Sequence, residues 1–114
     1  MTPAPFSRPH KYHAVRTQVD GVWFASKAEA LHYAKLKLLQ SSQVETAPAH
    51  KPLWFCLQPT FVLSDGVTYK PDFIVAYADG HIEIQDVKGF VTAEYRIKSK
   101  LMKARYGIVV QQIT

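Results

Sequence analysis

Two carboxylates and a lysine, Asp72, Asp86 and Lys88, are the residues of this chain best placed to do chemistry. They fall in two short runs, Lys70-Pro71-Asp72-Phe73 and Gln85-Asp86-Val87-Lys88-Gly89. Side chains along a strand alternate between faces, so Asp86 and Lys88 share a face with Ile82 and Ile84, and Asp72 shares one with Lys70, Ile74 and Ala76. Ala78-Asp79-Gly80 joins the two runs. A three-residue loop with Gly80 left-handed pairs Tyr77 with His81, and counting back from that pair sets Asp72 opposite Asp86. A two-residue loop would set Asp72 opposite Val87, on the wrong face. Facing carboxylates repel unless a cation lies between them. A hard divalent ion such as Mg²⁺ suits that position, because it takes oxygen ligands and often only one or two carboxylates beside water and phosphate. Lys88 then points at the same space. Its ammonium can orient or deprotonate an attacking water, or stabilise charge developing on a phosphate. The plainer alternative is a pair of ordinary strand-edge ion pairs with Lys70 and Lys88.

The elements that must hold these residues can be read around them. Tyr12 to Val19 and Val22 to Ala25 flank Asp20-Gly21, a pair suited to a two-residue hairpin turn. Ser26 caps a helix, with Glu29 completing the S-x-x-E pattern. The helix runs to about Leu39 or Gln40, with Leu31, Ala34 and Leu38 on one apolar line. Residues 41–52, rich in Ser, Ala and Pro, read as an irregular connection. Leu53 to Leu63, Tyr69 to Tyr77 and His81 to Val87 read as three strands, with Pro59 pointing to an edge or bulge. Thr92 caps a helix that extends to about Tyr106 and ends at Gly107, and Ile108 to Ile113 forms a last strand. The expected fold class is α/β: a single mixed β-sheet flanked by helices, in helix–strand–strand–strand–helix–strand order, with an N-terminal β-hairpin.

Composition bounds the rest. The chain has 114 residues, enough for one domain with its own core. Lys and Arg number 14 against 9 Asp and Glu, a net charge of +5 that favours a polyanionic partner such as nucleic acid. The single cysteine, Cys56, excludes an internal disulfide and fits a reducing compartment. No apolar run approaches the ~20 residues of a membrane span, and the proline-rich start lacks a signal-peptide core. The expectation is a soluble, cytoplasmic protein with no membrane contact. Residues 1–10 read as a flexible tail ahead of a domain over 11–114.

Pro71-Asp72 followed 14 residues later by Asp86-Val87-Lys88 resembles the PD-(D/E)XK nuclease signature, and the element order resembles that superfamily's core. More narrowly, Val19 to Ala30 (V-D-G-x-x-F-x-S-K-x-E-A), Leu57 to Phe61 (L-Q-P-x-F), Asp86 to Phe90 and Tyr106-Gly107 are similar to small bacteriophage proteins grouped with endonuclease I, the junction-resolving nuclease. The likeness covers about residues 11–113. It implies a Mg²⁺-dependent DNA endonuclease, with Mn²⁺ expected to substitute, working in a host cell's cytoplasm on DNA that includes branched forms. It implies that Asp72 and Asp86 bind the metal, that Val87 lends its carbonyl, that Glu29 completes the shell, and that Lys88 is the catalytic lysine. The stretch from Ser41 to Pro52 is longer than the family's pattern. So small a chain has little surface for a duplex, which makes a homodimer an expectation too. The competing class is a nuclease-fold DNA-binding or phage assembly module without turnover.

Several residues carry two readings. Glu29 is either a capping-box residue folded back on Ser26 or a ligand near Asp72 and Asp86. Gln58 is a site neighbour or a solvated strand residue. On the last helix Arg96, Lys98, Lys100 and Lys103 are either phosphate contacts or a solvated basic face near a helix C-terminus, with Ile97, Leu101 and Ala104 as the expected packing line. His10 and His13, with no Cys pair, make a weak zinc reading. Trp23, Trp54 and Phe55 either stack on bases or pack in the core.

Overall fold

The structure, a computed structural model, describes residues 15–114. The expected tail, with His10 and His13, lies outside the described residues. Asp20 and Gly21 both take positive φ, 53° and 77°. That is what a two-residue turn between right-twisted strands requires, and it pairs β1 (Thr17–Val19) with β2 (Val22–Phe24). Ser26 then caps α1 (Lys27–Gln40), its Oγ accepting from the Glu29 N–H at 3.1 Å.

A four-stranded sheet carries the fold. It comprises β3 (Pro52–Leu57), β6 (Phe73–Tyr77), β7 (Ile82–Val87) and β8 (Gln111–Ile113), which lie side by side in that order. The first three run antiparallel, whereas β7 and β8 are parallel. Parallel neighbours need a crossover, and α2 (Ala93–Tyr106) supplies it between them. Thr92 caps that helix through its Oγ1, and Gly107 ends it at φ 70°. The mixed sheet with its helices and N-terminal hairpin is the architecture expected from the pattern.

The structure corrects four element boundaries. The first strand, expected from Tyr12, begins at Thr17, with Val15 and Arg16 outside it and residues 12–14 outside the described residues. Leu53 to Leu63 is not one strand: the chain leaves β3 at Gln58, which sits at φ 49°, and Pro59 has no N–H to continue a ladder. Tyr69 to Tyr77 likewise breaks at Lys70-Pro71. The residues between, β4 (Phe61–Ser64) and β5 (Val67–Tyr69), pair only with each other as a second hairpin. The last strand begins at Gln111 and not at Ile108.

The packing lines of both helices also differ from expectation. In α1 the buried positions are Ala30, Tyr33 and Leu36, while Leu31 and Leu38 are exposed. Tyr33 decides this, since its ring packs on Phe24 and Phe55 against the sheet, in a core that includes Phe73 and Val75. In α2 Tyr95 and Met102 are buried, and of the expected line Leu101 packs against the cluster that holds Met102 while Ile97 and Ala104 are exposed. Met102 joins Leu63, Tyr69 and Ile84 on the opposite face of the sheet, so the β4–β5 hairpin and α2 cover that face together. Phe73 and Met102 are fully buried, and truncating either to Ala would cost about 2–5 kcal/mol.

The connection from α1 to β3 is tied down at its far end. A 3-10 turn at Pro48–His50 leads to Lys51, whose ammonium reaches the carbonyls of Leu39, Gln40 and Ser41 at 3.2–3.4 Å. These carbonyls end α1 and have no helical partner of their own. The Lys51 carbonyl accepts from Ala78 N–H at 2.9 Å, which joins the same segment to the β6–β7 turn. Among the described residues no helix is long and apolar enough to cross a membrane.

Candidate active site

The β6–β7 turn decides where the acids fall. Tyr77 N–H donates to His81 O, Gly80 takes φ 99°, and the ladder runs through Ala76–Ile82, Ile74–Ile84 and Phe73–Gln85. One step further along the same register, Asp72 stands opposite Asp86. There the backbone ladder gives way to side chains. Asp72 N–H donates to Asp86 Oδ1 at 3.2 Å, and Val87 N–H donates to Asp72 Oδ2 at 2.8 Å. Each acid therefore caps the other strand's end.

Asp86 is almost wholly buried, 2 % exposed. Its Oδ2 accepts from the Tyr69 hydroxyl at 2.5 Å and lies 3.6 Å from the Lys88 ammonium. Lys88 also sits over the Tyr95 ring, 5.3 Å from its centroid. Burial pushes the Asp72 carboxyl up to about 8, and the neighbouring Asp86 carboxylate adds to the effect, against the Val87 N–H that favours the charged form. Burial also pushes up the Tyr69 phenol, as does its bond to Asp86. Neither tyrosine is foreseen from the sequence: Tyr69 reads as continuous with β6, and only Pro71 signals that the chain turns there.

Glu29 comes to this site from α1. Burial raises its carboxyl and Asp86 raises it further, while hydrogen bonds to the Asp72 side chain and the Ala25 N–H, with the Lys88 charge, hold it down. Its side chain thus turns to Asp72 and the Ala25 N–H and not back to the Ser26 N–H as a capping box requires; only the Glu29 backbone N–H serves the Ser26 cap. Val87 enters the site through its N–H. Gln58 lines a cavity of ≈ 140 Å³ together with Glu29 and Asp72, and its own N–H donates to Asp72 O at 3.0 Å.

On the other side of Asp72 lies a larger cavity of ≈ 400 Å³, whose wall includes Asp86, Lys70, Lys88 and Lys98. Lys98 pairs with Glu94 at 2.9 Å. The basic residues of α2 are therefore not one stripe. Lys98 belongs to the carboxylate cavity, while Arg96, Lys100 and Lys103 line a separate ≈ 350 Å³ groove beside β8.

The donor set fits a hard cation. The buried Asp86 carboxylate, the half-buried Asp72 beside it and Glu29 next to both carry more negative charge than one lysine offsets, and that charge adds to the burial that raises the Asp72 carboxyl. Oxygen donors of this kind suit Mg²⁺ or Mn²⁺. Among the described residues no group of three or more His, Cys, Asp and Glu side chains converges as a ready-made cage. An ion there would have Asp72 and Asp86 as its charged donors and would take the rest of its shell from other oxygens.

A second polar cluster, which the sequence does not announce, lies under α1. Gln85 is 2 % exposed, and its amide bonds His32 at 2.7 Å, the Tyr77 hydroxyl at 2.8 Å and Glu83 at 2.9 Å. All its amide atoms are engaged, so it reads as a satisfied structural link between α1 and the sheet.

Fold and site together define a mixed α/β domain with an acidic pair and a lysine at the shared end of its two central strands. The chain belongs to the family described as a protein of unknown function (DUF1064), whose family model matches residues 9–113. No curated protein and no solved structure matches it significantly.

Proposed function

We propose that this protein is a divalent-metal-dependent endonuclease that hydrolyses phosphodiester bonds in DNA. The observation that carries the reading is the joined pair of half-buried Asp72 and buried Asp86 with Lys88 beside it, opening on a cavity rimmed by further lysines. The resemblance of Pro71-Asp72 and Asp86-Val87-Lys88 to the PD-(D/E)XK signature supports it, as does the net charge of +5.

Asp72 and Asp86 would hold Mg²⁺ or Mn²⁺. When bound, such an ion polarises a phosphoryl oxygen and makes water more acidic. Tyr69 fixes the orientation of Asp86 through its hydroxyl, and Val87 fixes Asp72 through its N–H. Glu29, beside Asp72, would be placed to accept a proton from an attacking water, since its raised carboxyl makes it a better base than an ordinary glutamate. Lys88, beside Asp86 and on the wall of the larger cavity, would stabilise the charge that grows on a phosphate bound there. Water oxygen bonds to phosphorus, one P–O ester bond breaks, and the departing alkoxide takes up a proton.

The test is direct. Purified protein in Mg²⁺ or Mn²⁺ is offered single-stranded, forked, four-way-junction and linear duplex DNA. Cleavage of at least one, lost in Asp72→Asn and Asp86→Asn, is the expected result. No cleavage of any substrate in either metal would overturn the proposal, leaving the binding or assembly module.

A further inference from the structure

The ≈ 140 Å³ cavity beside Asp72 has an unusual wall for a site of carboxylates: besides Glu29 and Gln58 it includes Trp23. Strand alternation explains where that tryptophan goes. Phe24 is buried in the core and Val22 packs against it, so the residue between them is turned outward, and Trp23 is 54 % exposed. An indole left this open gains little from burial in the free protein. Its hairpin partner strand begins just after Arg16, whose guanidinium lies 4.6 Å above the ring centroid. The contact holds the ring in place and puts a positive charge at the same spot.

We propose that Trp23 is a stacking platform for one unpaired nucleobase next to the scissile phosphate, with Arg16 contacting the adjoining backbone. The proposal rests on the nuclease reading and adds the form of its substrate. Asp72 lines both cavities. A strand with its phosphate at Asp72 and Lys88 thus has two different neighbourhoods: one of lysine charges for phosphates, and one small and aromatic. A flat ring fits the second. A base within a duplex has both faces covered and must leave the stack to reach an indole, which costs energy that an unpaired base does not owe. The site is therefore built for DNA with an unpaired nucleotide at the cleavage point, such as a single strand or the fork of a flap, in preference to a fully paired duplex.

The experiment uses the full chain with Trp54→Phe, because the sequence has two tryptophans and this leaves Trp23 as the fluorophore. Trp54 lies on β3 and lines neither cavity. Without divalent metal, the protein is titrated with a labelled single-stranded oligonucleotide, a fork with a short unpaired arm, and a blunt duplex. The expected result is saturable quenching of Trp23 by the first two and not by the duplex. In the Trp54→Phe background, Trp23→Ala should weaken single-strand binding, followed by anisotropy of the label, by about 5- to 150-fold, the range for loss of one stacked base. Trp23→Phe should restore most of it. Equal single-strand affinity in Trp23→Ala, or binding without quenching, would overturn the proposal. Cleavage in Mg²⁺ is scored separately: quenching without cleavage keeps the platform and sinks the nuclease reading. Cleavage with unaltered substrate preference in Trp23→Ala does the reverse.

Discussion

The backbone N–H of Asp72 donates to Oδ1 of Asp86, so two acids whose charges oppose each other are nevertheless joined by the fold. The reciprocal bond, Val87 N–H to Asp72 Oδ2, closes the end of the β6–β7 ladder. The geometry that makes the pair electrostatically costly is thus also the geometry that finishes the sheet, and a neutral isostere at either position keeps the second while relieving the first.

Stability should record that cost. The Asp72 carboxyl is raised from 3.8 to about 8 in the folded protein. Between those values the folded state binds a proton that the unfolded state releases, so metal-free stability falls as pH rises through that window. Asp72→Asn should flatten this slope and raise the melting temperature near pH 8, by a stability gain exceeding about 1.4 kcal/mol, the worth of one pKa unit. Added Mg²⁺ should stabilise wild type at pH 8 and leave the mutant nearly unmoved. Thermal melts from pH 5 to 8.5 check this; a mutant slope as steep as wild type would remove Asp72 as the strained group.

Lys88 separates chemistry from metal holding. Lys88→Met keeps the apolar stem over Tyr95 and deletes the ammonium 3.6 Å from Asp86. Metal affinity should persist or rise slightly, while single-turnover cleavage falls on the order of 10²-fold or more. Calorimetry and cleavage on one preparation read both quantities, and wild-type cleavage by the mutant would defeat the mechanism.

Tyr69 should act as a positioning residue. Tyr69→Phe removes only the hydroxyl that orients Asp86, leaving a buried carboxylate oxygen one partner short. The expected losses are about 1–3 kcal/mol of stability and about 10- to 100-fold in metal affinity or activity. If the mutant melts lower but binds Mn²⁺ as wild type does, the hydroxyl is structural alone.

The two basic groups of α2 should part company. Neutralising Arg96, Lys100 and Lys103 together should flatten the slope of log affinity against log salt concentration, by about 0.9 for every phosphate that these side chains neutralise in the wild type. Single-turnover cleavage at saturating protein should stay close to normal. Lys98→Met should instead lower cleavage, because Lys98 borders the carboxylate cavity and the other three do not. Matching behaviour of the triple and single variants would show that the division between groove and cavity has no consequence for DNA.

The acids and the turn were legible in the sequence because a strand's period and a glycine-bearing loop are local facts. Asp20-Gly21, Gly80, Ser26, Thr92 and Gly107 all sit where their backbone preferences place them. The β4–β5 hairpin was not, since the runs from Leu53 and from Tyr69 are apolar enough to read straight through their breaks at Gln58-Pro59 and Lys70-Pro71. The helix faces differ from expectation for a related reason. Leu and Ile mark an apolar line by composition, but Tyr33 and Tyr95 took the buried positions, and which line packs is a tertiary choice. Tyr69's bond to Asp86 depends on that same hairpin folding back, so nothing local could have announced it.

The ammonium of Lys51, closing three carbonyls at the end of α1 while its own carbonyl holds the β6–β7 turn, acts as a mooring. The helix that carries Glu29 and the strands that carry Asp72 and Asp86 are fastened to each other downstream of the long connection, not by way of it. Residues 42–47 are thereby freed from any duty of measuring distance. Extra residues spliced between Gln43 and Val44 should cost little and leave the three acids in register, whereas cutting the mooring with Lys51→Met should let the helix shift along the sheet. The long segment between α1 and β3 is, in this light, slack line made fast at its far end.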